Sequence, residues 1–157
     1  MGHDIPDNLC IDFELGDREG TEKAFGEAEN VITLDLENNR VTAVPIEPRG
    51  CVGSYDPETD TYLLYNSTQN VHAIRDTLAE NVFGIDKEKI RHIAPDVGGG
   101  FGVKNSAYPE PPLVLYAAKK LGRPVKWINN RSESFLSDTH GRGQTSRVQL
   151  AIDNDGT

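Results

Sequence analysis

Six short segments of the chain alternate apolar with polar residues or are rich in β-branched residues, and this pattern predicts β-strands. The segments are residues 31–36, 51–55, 62–65, 90–94, 125–128 and 145–152. The second and third flank residues 56–60, whose Asp, Pro and Thr content is typical of a tight loop. These two strands are therefore predicted to pair as a β-hairpin.

Residues 70–83 have the spacing of an amphipathic helix, because apolar side chains recur three or four positions apart. Gly84 follows at the position where a left-handed C-terminal cap is common. At the start of the segment, either Asn70 or Thr68 has a side chain suited to capping the helix N-terminus. The pattern predicts one well-delimited helix.

A second helix is predicted to begin in the proline-rich residues 109–112, since proline is tolerated in the first turn of a helix. Gly122 and Pro124 end it. The elements are ordered as strands, helix, strand, helix, strands, written in short as β-β-α-β-α-β with adjacent strands grouped, and without internal repeats. This order favours an α+β fold, a two-layer domain with a mixed β-sheet and two helices.

Composition and charge limit the classes of partner. The 157 residues include 16 Lys and Arg against 25 Asp and Glu, which makes the net charge −9, and this length suits one domain. An acidic chain without a stripe of Lys and Arg argues against binding to the phosphates of nucleic acid or to anionic lipid. No apolar run approaches the ~20 residues that span a bilayer, so no membrane insertion is expected.

The metal-ligating residue types are sparse. Cys10 and Cys51 are too few for a disulfide scaffold or a four-ligand zinc site, and they favour a reducing, cytoplasmic location. His72 and His92 have no partner at metal-ligand spacing, and a lone histidine such as His140 is more often structural than a ligand. The sequence therefore indicates no direct metal ligand in this chain.

Both ends of the chain suggest a domain taken from a longer protein. Residues 1–3 resemble an expression-vector remnant, and residues 4–30 lack periodicity, which predicts an extended lead-in or linker. Residues 31–157 then form the folded subdomain, truncated at both ends. Asp155 and Gly156 near the C-terminus are a hairpin turn signal that no strand follows.

Residues 96–104 carry the densest local signal, four glycines among five residues at 98–102. Glycines allow positive φ and a close approach of the backbone, and successive free N–H groups form an anion-binding nest. Spacing argues against two known phosphate loops, because Val103 stands where a dinucleotide fingerprint needs glycine and Lys104 is not followed by Ser or Thr. From composition alone, ligand binding and a flexible surface turn are equally supported.

Five segments together resemble a known enzyme family. They are, in order, residues 46–50, 67–70, 96–104, 122–133 and 137–142. Their sequences are similar to motifs of the xanthine dehydrogenase/aldehyde oxidase family of molybdenum hydroxylases, in particular to the large-chain branch typified by aerobic carbon monoxide dehydrogenase. The resemblance extends over about residues 5–157 and identifies the chain as a fragment of the molybdopterin-binding domain.

The resemblance implies roles for five residues. In the family, a glutamine at the position of Gln69 donates a hydrogen bond to an oxygen ligand on molybdenum, a task that suits a neutral amide. The cofactor-binding loop would comprise Gly99, Gly100, Phe101 and Gly102, with Phe101 excluding water. No catalytic residue is expected within this chain, because the family's glutamate base and its copper-binding cysteine loop lie farther along a longer polypeptide. Cys51 is therefore assigned no copper role.

The resemblance also implies a cofactor and partners. The cofactor would be molybdopterin, in its cytosine dinucleotide form, with molybdenum in the parent enzyme and none bound to the isolated fragment. The partners would be the remainder of the large subunit and iron–sulfur and flavin subunits or domains. The parent would be an oxidoreductase that hydroxylates a carbon monoxide-like or aldehyde-type substrate, and the fragment alone would be inactive.

Departures from the family pattern and two other functions stay open. Asn105 stands where the purine-oxidising branch has a substrate-binding glutamate, which argues against purine hydroxylation. Val103 is bulkier than the family's usual residue there, and residues 143–144 also differ. Glu133 and Asp138 are candidates for an acid/base pair, but nothing in the sequence places them together. The alternatives are a non-catalytic module for a small molecule or phosphate, and a structural domain of a degenerate paralogue.

Overall fold

The computed structural model describes residue 7 and residues 9–156. Within them, the helices are α1 (Arg18–Glu27), α2 (Val71–Thr77), α3 (Glu110–Leu121) and α4 (Arg131–Ser137). The strands are β1 (Asn30–Asn38), β2 (Gly50–Asp56), β3 (Thr61–Asn66), β4 (Ile90–Ile93), β5 (Val125–Ile128) and β6 (Gln144–Ile152). A π-helical turn at Leu78–Phe83 continues α2, and 3₁₀ turns lie at Lys87–Lys89 and Val103–Asn105.

The chain divides into two compact units. The first, here the ribbon unit, contains the described residues up to Asn38 and those from Gln144 onward, with α1, β1 and β6. Strands β1 and β6 pair antiparallel, from Asn30 opposite Ile152 to Asn38 opposite Gln144. Every residue of β1 is exposed.

The second unit, Asn39–Gly143, contains a four-stranded sheet in the order β4-β3-β2-β5. Strands β3 and β4 are parallel and the other two pairs are antiparallel, so the sheet is mixed. Helix α3 packs so closely on β2 that a Cβ at Gly53 would lie 2.9 Å from Leu115 Cδ2. The buried core comprises Cys51, Tyr62, Leu64, Ile74, Leu78, Ala79, Ile90, Val114 and Leu115.

Several local predictions are confirmed. Strands β2 and β3 form the expected hairpin, with Cys51 opposite Asn66. Of the two candidate caps, Asn70 caps α2, since its Oδ1 accepts a hydrogen bond from Ala73 N at 3.2 Å. Gly84 ends the helical segment in the left-handed conformation, with φ +63°.

The two helices and single sheet predicted from sequence are corrected to four α-helices and two sheets among the residues that the structure describes. Helix α1 lies within residues 4–30, which were predicted to be extended. It has no buried residue, so an apolar stripe could not reveal it, and its N-terminus is marked by Asp17, which accepts from Gly20 N. Helix α4 spans only seven residues, too few for a periodic signal, but Asn130 and Glu133 form a capping box at its start.

None of the helices in the part of the chain that the structure describes is long and apolar enough to cross a membrane.

Candidate active site

The glycine-rich loop follows β4 and leads into the 3₁₀ turn at Val103–Asn105. Three of the four positions 99–102 near its tip have a left-handed backbone: Gly99 has φ +99°, Phe101 has φ +51° and Gly102 has φ +91°. Left-handed values are open to glycine at no steric cost and are strained for phenylalanine. This strained backbone conformation is therefore stabilised by contacts with residues outside the loop.

Gln69, at the end of the loop between β3 and α2, supplies the central contact. Its Oε1 accepts hydrogen bonds from Gly102 N at 2.9 Å and from Lys104 N at 3.3 Å, and its own backbone N–H donates to Lys104 O at 3.0 Å. Because backbone N–H groups only donate, the oxygen of the amide must face the loop. The Nε2 group of Gln69 donates to no described residue and is left as a free donor.

Two glycines of the loop are required by close approach. A Cβ at Gly100 would lie 2.4 Å from Gln69 Cδ, and a Cβ at Gly98 would lie 2.6 Å from Glu47 Cβ. Any larger residue at either position would displace the neighbouring side chain. The structure thus brings together all five residues predicted to bind the cofactor: Gln69, Gly99, Gly100, Phe101 and Gly102. Cofactor binding by these five residues stays a prediction.

An ion pair between the buried Lys104 and the partly exposed Glu47, which the sequence did not reveal, fixes the loop. The side chain of Lys104 is 1% exposed, and its Nζ donates to Glu47 Oε2 at 2.9 Å and to Ser67 Oγ at 2.6 Å. Glu47 Oε2 also accepts from Gly98 N at 2.8 Å and from the Ser67 hydroxyl. Both charged residues lie in segments that the sequence singled out, but their separation of 57 positions concealed the pairing.

Replacing Glu47 with glutamine should lower the free energy of unfolding by about 1–3 kcal/mol, because it leaves the ammonium of Lys104 buried without its carboxylate. Partial burial raises the pKa of Glu47, but the hydrogen bonds from Lys104, Ser67 and Gly98 outweigh it and lower the pKa below the ordinary 4.5. A lowered pKa stabilises the fold above pH 4.5, and this contribution disappears as the pH falls through the folded-state value.

Urea unfolding at several pH values measures this effect. The difference between the wild type and Glu47→Gln should be full near neutral pH and should shrink steadily below pH 4.5. Glu58→Gln, at an exposed carboxylate of the β2–β3 loop, is the matched control and should change stability by no more than about 0.5 kcal/mol. A pH-independent difference would contradict the assigned role of the carboxylate.

Arg49 is the centre of a second buried network. Its Nε donates to Asp138 at 2.7 Å, its Nη1 donates to Glu110 at 2.7 Å, and its Nη2 donates to Ser137 at 2.9 Å. The guanidinium also lies 3.7 Å from the ring centroid of Tyr108. Burial lowers the pKa of Arg49, but the carboxylates of Glu110 and Asp138 outweigh this effect and raise the pKa. The guanidinium therefore stays positively charged. This network ties the start of β2 to α3 and to the end of α4.

Tyr108 connects this network to the glycine loop. Its hydroxyl donates to Val103 O at 2.9 Å and accepts from Thr139 N at 3.0 Å. Tyr108 thereby connects Val103, near the end of the glycine-rich loop, to Thr139 in the segment after α4. Neither Tyr108 nor Arg49 was assigned a role from sequence, although Arg49 lies in one of the five motifs.

The remaining candidates do not form a site. Asp138 is paired with Arg49, whereas Glu133 accepts from Asn130 N at the start of α4, so they are not an acid/base pair. No group of three His, Cys, Asp or Glu among the described residues could hold a metal ion. Burial raises the pKa of the Cys51 thiol to about 12, which keeps it protonated.

Comparison with known proteins identifies relatives over nearly the whole chain. The sequence profile of the molybdopterin cofactor-binding domain matches residues 2–157. The nicotine 6-hydroxylase large subunit of Paenarthrobacter nicotinovorans is 37% identical over 153 residues, which cover 96% of this chain and 18% of the relative. The carbon monoxide dehydrogenase large chain of Afipia carboxidovorans is 37% identical over 149 residues, covering 95% and 18%.

Solved structures agree with the sequence relatives. Reconstituted CO dehydrogenase from Oligotropha carboxidovorans superposes with a TM-score of 0.85 at 36% identity, over 91% of this chain and 18% of that chain. Quinoline 2-oxidoreductase from Pseudomonas putida 86 superposes with a TM-score of 0.78 at 38% identity, over 85% and 17%. The chain thus spans less than a fifth of the length of each of these four proteins.

Proposed function

Because this chain belongs to the molybdopterin cofactor-binding domain family, we propose that it forms one wall of the molybdopterin site in the large subunit of a molybdenum hydroxylase. The orientation of Gln69 carries this proposal. Its Oε1 is held by Gly102 N and Lys104 N, so its Nε2 remains as a donor beside the glycine loop. A neutral amide donor suits a hydrogen bond to an oxygen ligand of molybdenum, because it adds no titrating charge near the metal.

The residues present fit such a group. Gly99, Gly100 and Gly102 present backbone without side-chain bulk, and the exposed Phe101 would exclude water from the pterin side of the site. When bound, the molybdenum cofactor supplies the oxidising chemistry and accepts the electron pair of the substrate. This chain holds the cofactor and orients it, and it contributes no proton-transferring residue. The cofactor form that we propose is the cytosine dinucleotide.

The larger assembly is also part of the proposal. The relatives are named as large subunits or large chains, and this chain spans about 18% of their length. We therefore propose that the remaining site residues, including the base, come from the rest of the large subunit, and that electrons pass to iron–sulfur and flavin partners. This wall of the site would be inactive on its own. Its location would be cytoplasmic, where the free thiols of Cys10 and Cys51 stay reduced. Substrates would be of the carbon monoxide, aldehyde or N-heterocyclic type.

Substituting Gln69 tests this function in the full-length enzyme. Gln69→Glu keeps an oxygen acceptor for Gly102 N and Lys104 N but loses the Nε2 donor, and Gln69→Ala loses both. We expect both variants to lower turnover by about 10²-fold or more, the cost of removing a preorganised donor, while molybdenum content and the fluorescence of the oxidised pterin stay unchanged.

Turnover is measured with a dye as electron acceptor on a panel of aldehydes and N-heterocycles, with metal analysis of the same samples. Gln144→Ala, an exposed glutamine of β6, is the matched control and should keep wild-type turnover. Unchanged turnover in Gln69→Glu would remove the donor from the mechanism. A wild-type protein without molybdenum and pterin would overturn the proposed function itself and favour a non-catalytic module or a degenerate paralogue.

A further inference from the structure

Residues 44–47, here called the support segment, contact the start of the glycine-rich loop. Glu47 N donates to Gly98 O at 3.1 Å, and Glu47 Oε2 accepts from Gly98 N at 2.8 Å. Pro45 is fully buried, and its Cβ would lie 3.4 Å from a Cβ at Gly99. The position of the support segment therefore determines where the backbone of the loop begins.

The support segment starts with a strained residue. Val44 has φ +43°, in the left-handed region. This region is unfavourable for any residue with a Cβ, and a β-branched residue such as valine is a genuine outlier there. A conformation of this kind persists only where the surrounding structure imposes it. Contacts with residues outside the segment must therefore hold residues 45–47 in place.

The guanidinium of Arg131 makes contacts of this kind. Its Nη2 donates to the carbonyl oxygens of Pro45 at 2.6 Å and of Ile46 at 2.8 Å. Hydrogen bonds from a charged donor are shorter and stronger than those between neutral groups. The Nη1 atom of Arg131 is buried and has no hydrogen-bond partner among the described residues, so it does not draw the guanidinium away from the two carbonyls.

Helix α4 gives the backbone of Arg131 a fixed position. Arg131 is the first residue of the helix, and Asn130 and Glu133 form the capping box around it. Asn129 N donates to Arg49 O at 2.9 Å, which attaches the start of the helix to the residue before β2. The side chain of Arg131 thus connects a fixed helix start to a support segment that lies 85 positions away in sequence.

The contacts of Arg131 differ in kind from those of Glu47. The carboxylate of Glu47 accepts from Lys104 Nζ and from the Ser67 hydroxyl, and these bonds hold its side chain. Arg131 instead holds the main-chain carbonyls of the two residues that directly follow the strained Val44. Without Arg131, the strain at Val44 favours rotation of this backbone, and the rotation would displace Glu47 from Gly98.

We propose that Arg131 is a positioning residue for the glycine-rich loop. Arg131 holds the support segment against the strain at Val44, and the segment holds Gly98 through Glu47. The loop then keeps its backbone where Gln69 accepts from it. The consequence for turnover rests on the function proposed above, whereas the consequence for the backbone of the loop does not.

Hydrogen exchange followed by mass spectrometry measures the loop backbone in the full-length enzyme. Arg131→Met removes the donors and keeps an apolar side chain. It should speed amide exchange in residues 98–104 by about tenfold or more, the value of a hydrogen bond from a charged donor. Arg131→Lys keeps a cation that can donate to both carbonyls and should restore most of the protection. The control Arg123→Met makes the same charge change at an exposed arginine and should exchange as the wild type does.

A second substitution tests the strain directly. Glycine adopts positive φ without steric cost, so Val44→Gly removes the strain that Arg131 opposes. Added to Arg131→Met, Val44→Gly should slow exchange in residues 98–104 by about fivefold or more. Helix α3 is the internal reference and should exchange at the wild-type rate in every variant. Unchanged loop exchange in Arg131→Met, no slowing by Val44→Gly, or equally faster exchange in α3 would each overturn the proposal.

Turnover of the same proteins tests the consequence for the enzyme. Arg131→Met should lower kcat by about tenfold or more at unchanged molybdenum content, because a misplaced loop misplaces the contact at Gln69. Arg131→Lys and the double variant with Val44→Gly should recover most of kcat. Faster loop exchange with unchanged kcat would show that Arg131 does not position the loop for turnover. A wild-type protein without molybdenum would overturn the proposed function, and the exchange result would still decide the role of Arg131.

Discussion

Arg49→Ala should lower the free energy of unfolding by about 3–5 kcal/mol, the cost of leaving buried charges without their partner. The side chains of Arg49 and Asp138 are each 5% exposed, and Glu110 is 18% exposed. Removing the guanidinium leaves both carboxylates in a water-poor environment and deletes the stacking partner of Tyr108. Urea unfolding followed by the fluorescence of Trp127, the single tryptophan, measures the loss.

Two further variants make the Arg49 result interpretable. Arg49→Lys keeps the charge but cannot reproduce the forked contacts to two carboxylates, so its loss should be intermediate. Arg75→Ala removes an arginine whose pairing with Asp76 is much more accessible to water, with side-chain exposures of 22% and 36%, and should cost less than about 1 kcal/mol. If Arg49→Ala were no more damaging than Arg75→Ala, the buried network would not be a main support of the fold.

Gly100→Ala should both destabilise the protein and displace the predicted donor. The new Cβ would lie 2.4 Å from Gln69 Oε1, so the amide must move away from Gly102 N and Lys104 N. Crowding of this kind costs about 1–3 kcal/mol in stability. In the full-length enzyme that we propose, misplacing a catalytic contact by about 1 Å should lower turnover by about 10²-fold.

The matched control for Gly100→Ala is Gly50→Ala in β2. There a Cβ would meet its nearest atom, Trp127 O, at an ordinary contact distance of 3.5 Å, and the backbone is not left-handed. Gly50→Ala should keep both stability and turnover near the wild-type values. If the Gln69 side-chain amide signal and the turnover of Gly100→Ala both matched the wild type, the close approach of Gly100 to Gln69 would not be required for function.

Patterns among a few neighbouring residues were sufficient to predict much of the fold. The hairpin of β2 and β3 followed from a loop composition between two alternating segments, and the boundaries of α2 followed from Asn70 and Gly84. The family followed from five ordered motifs and is confirmed by the match over residues 2–157. Each of these signals depends on spacing along the chain, where side-chain periodicity and backbone preference act directly.

Helices α1 and α4 could not be predicted from such local signals. α1 buries no residue, so apolar periodicity was absent, and α4 has too few residues to display any period. Their caps at Asp17 and Asn130 are visible in the sequence, but Asp and Asn are equally common in turns. The two residues could be assigned as helix caps only once the structure showed that a helix follows each of them.

The sequence by itself determined the six strands, helices α2 and α3, the glycine loop and the family, whereas the cofactor contact at Gln69 stays a prediction. Only the tertiary structure decided that Lys104 pairs with Glu47 across 57 positions and that Arg49 pairs with Asp138 across 89. It also placed the guanidinium of Arg131 against the carbonyl oxygens of Pro45 and Ile46. The physical reason is that hydrogen bonds and ion pairs act over about 3 Å in space, and distance along the chain does not specify which groups the fold brings that close.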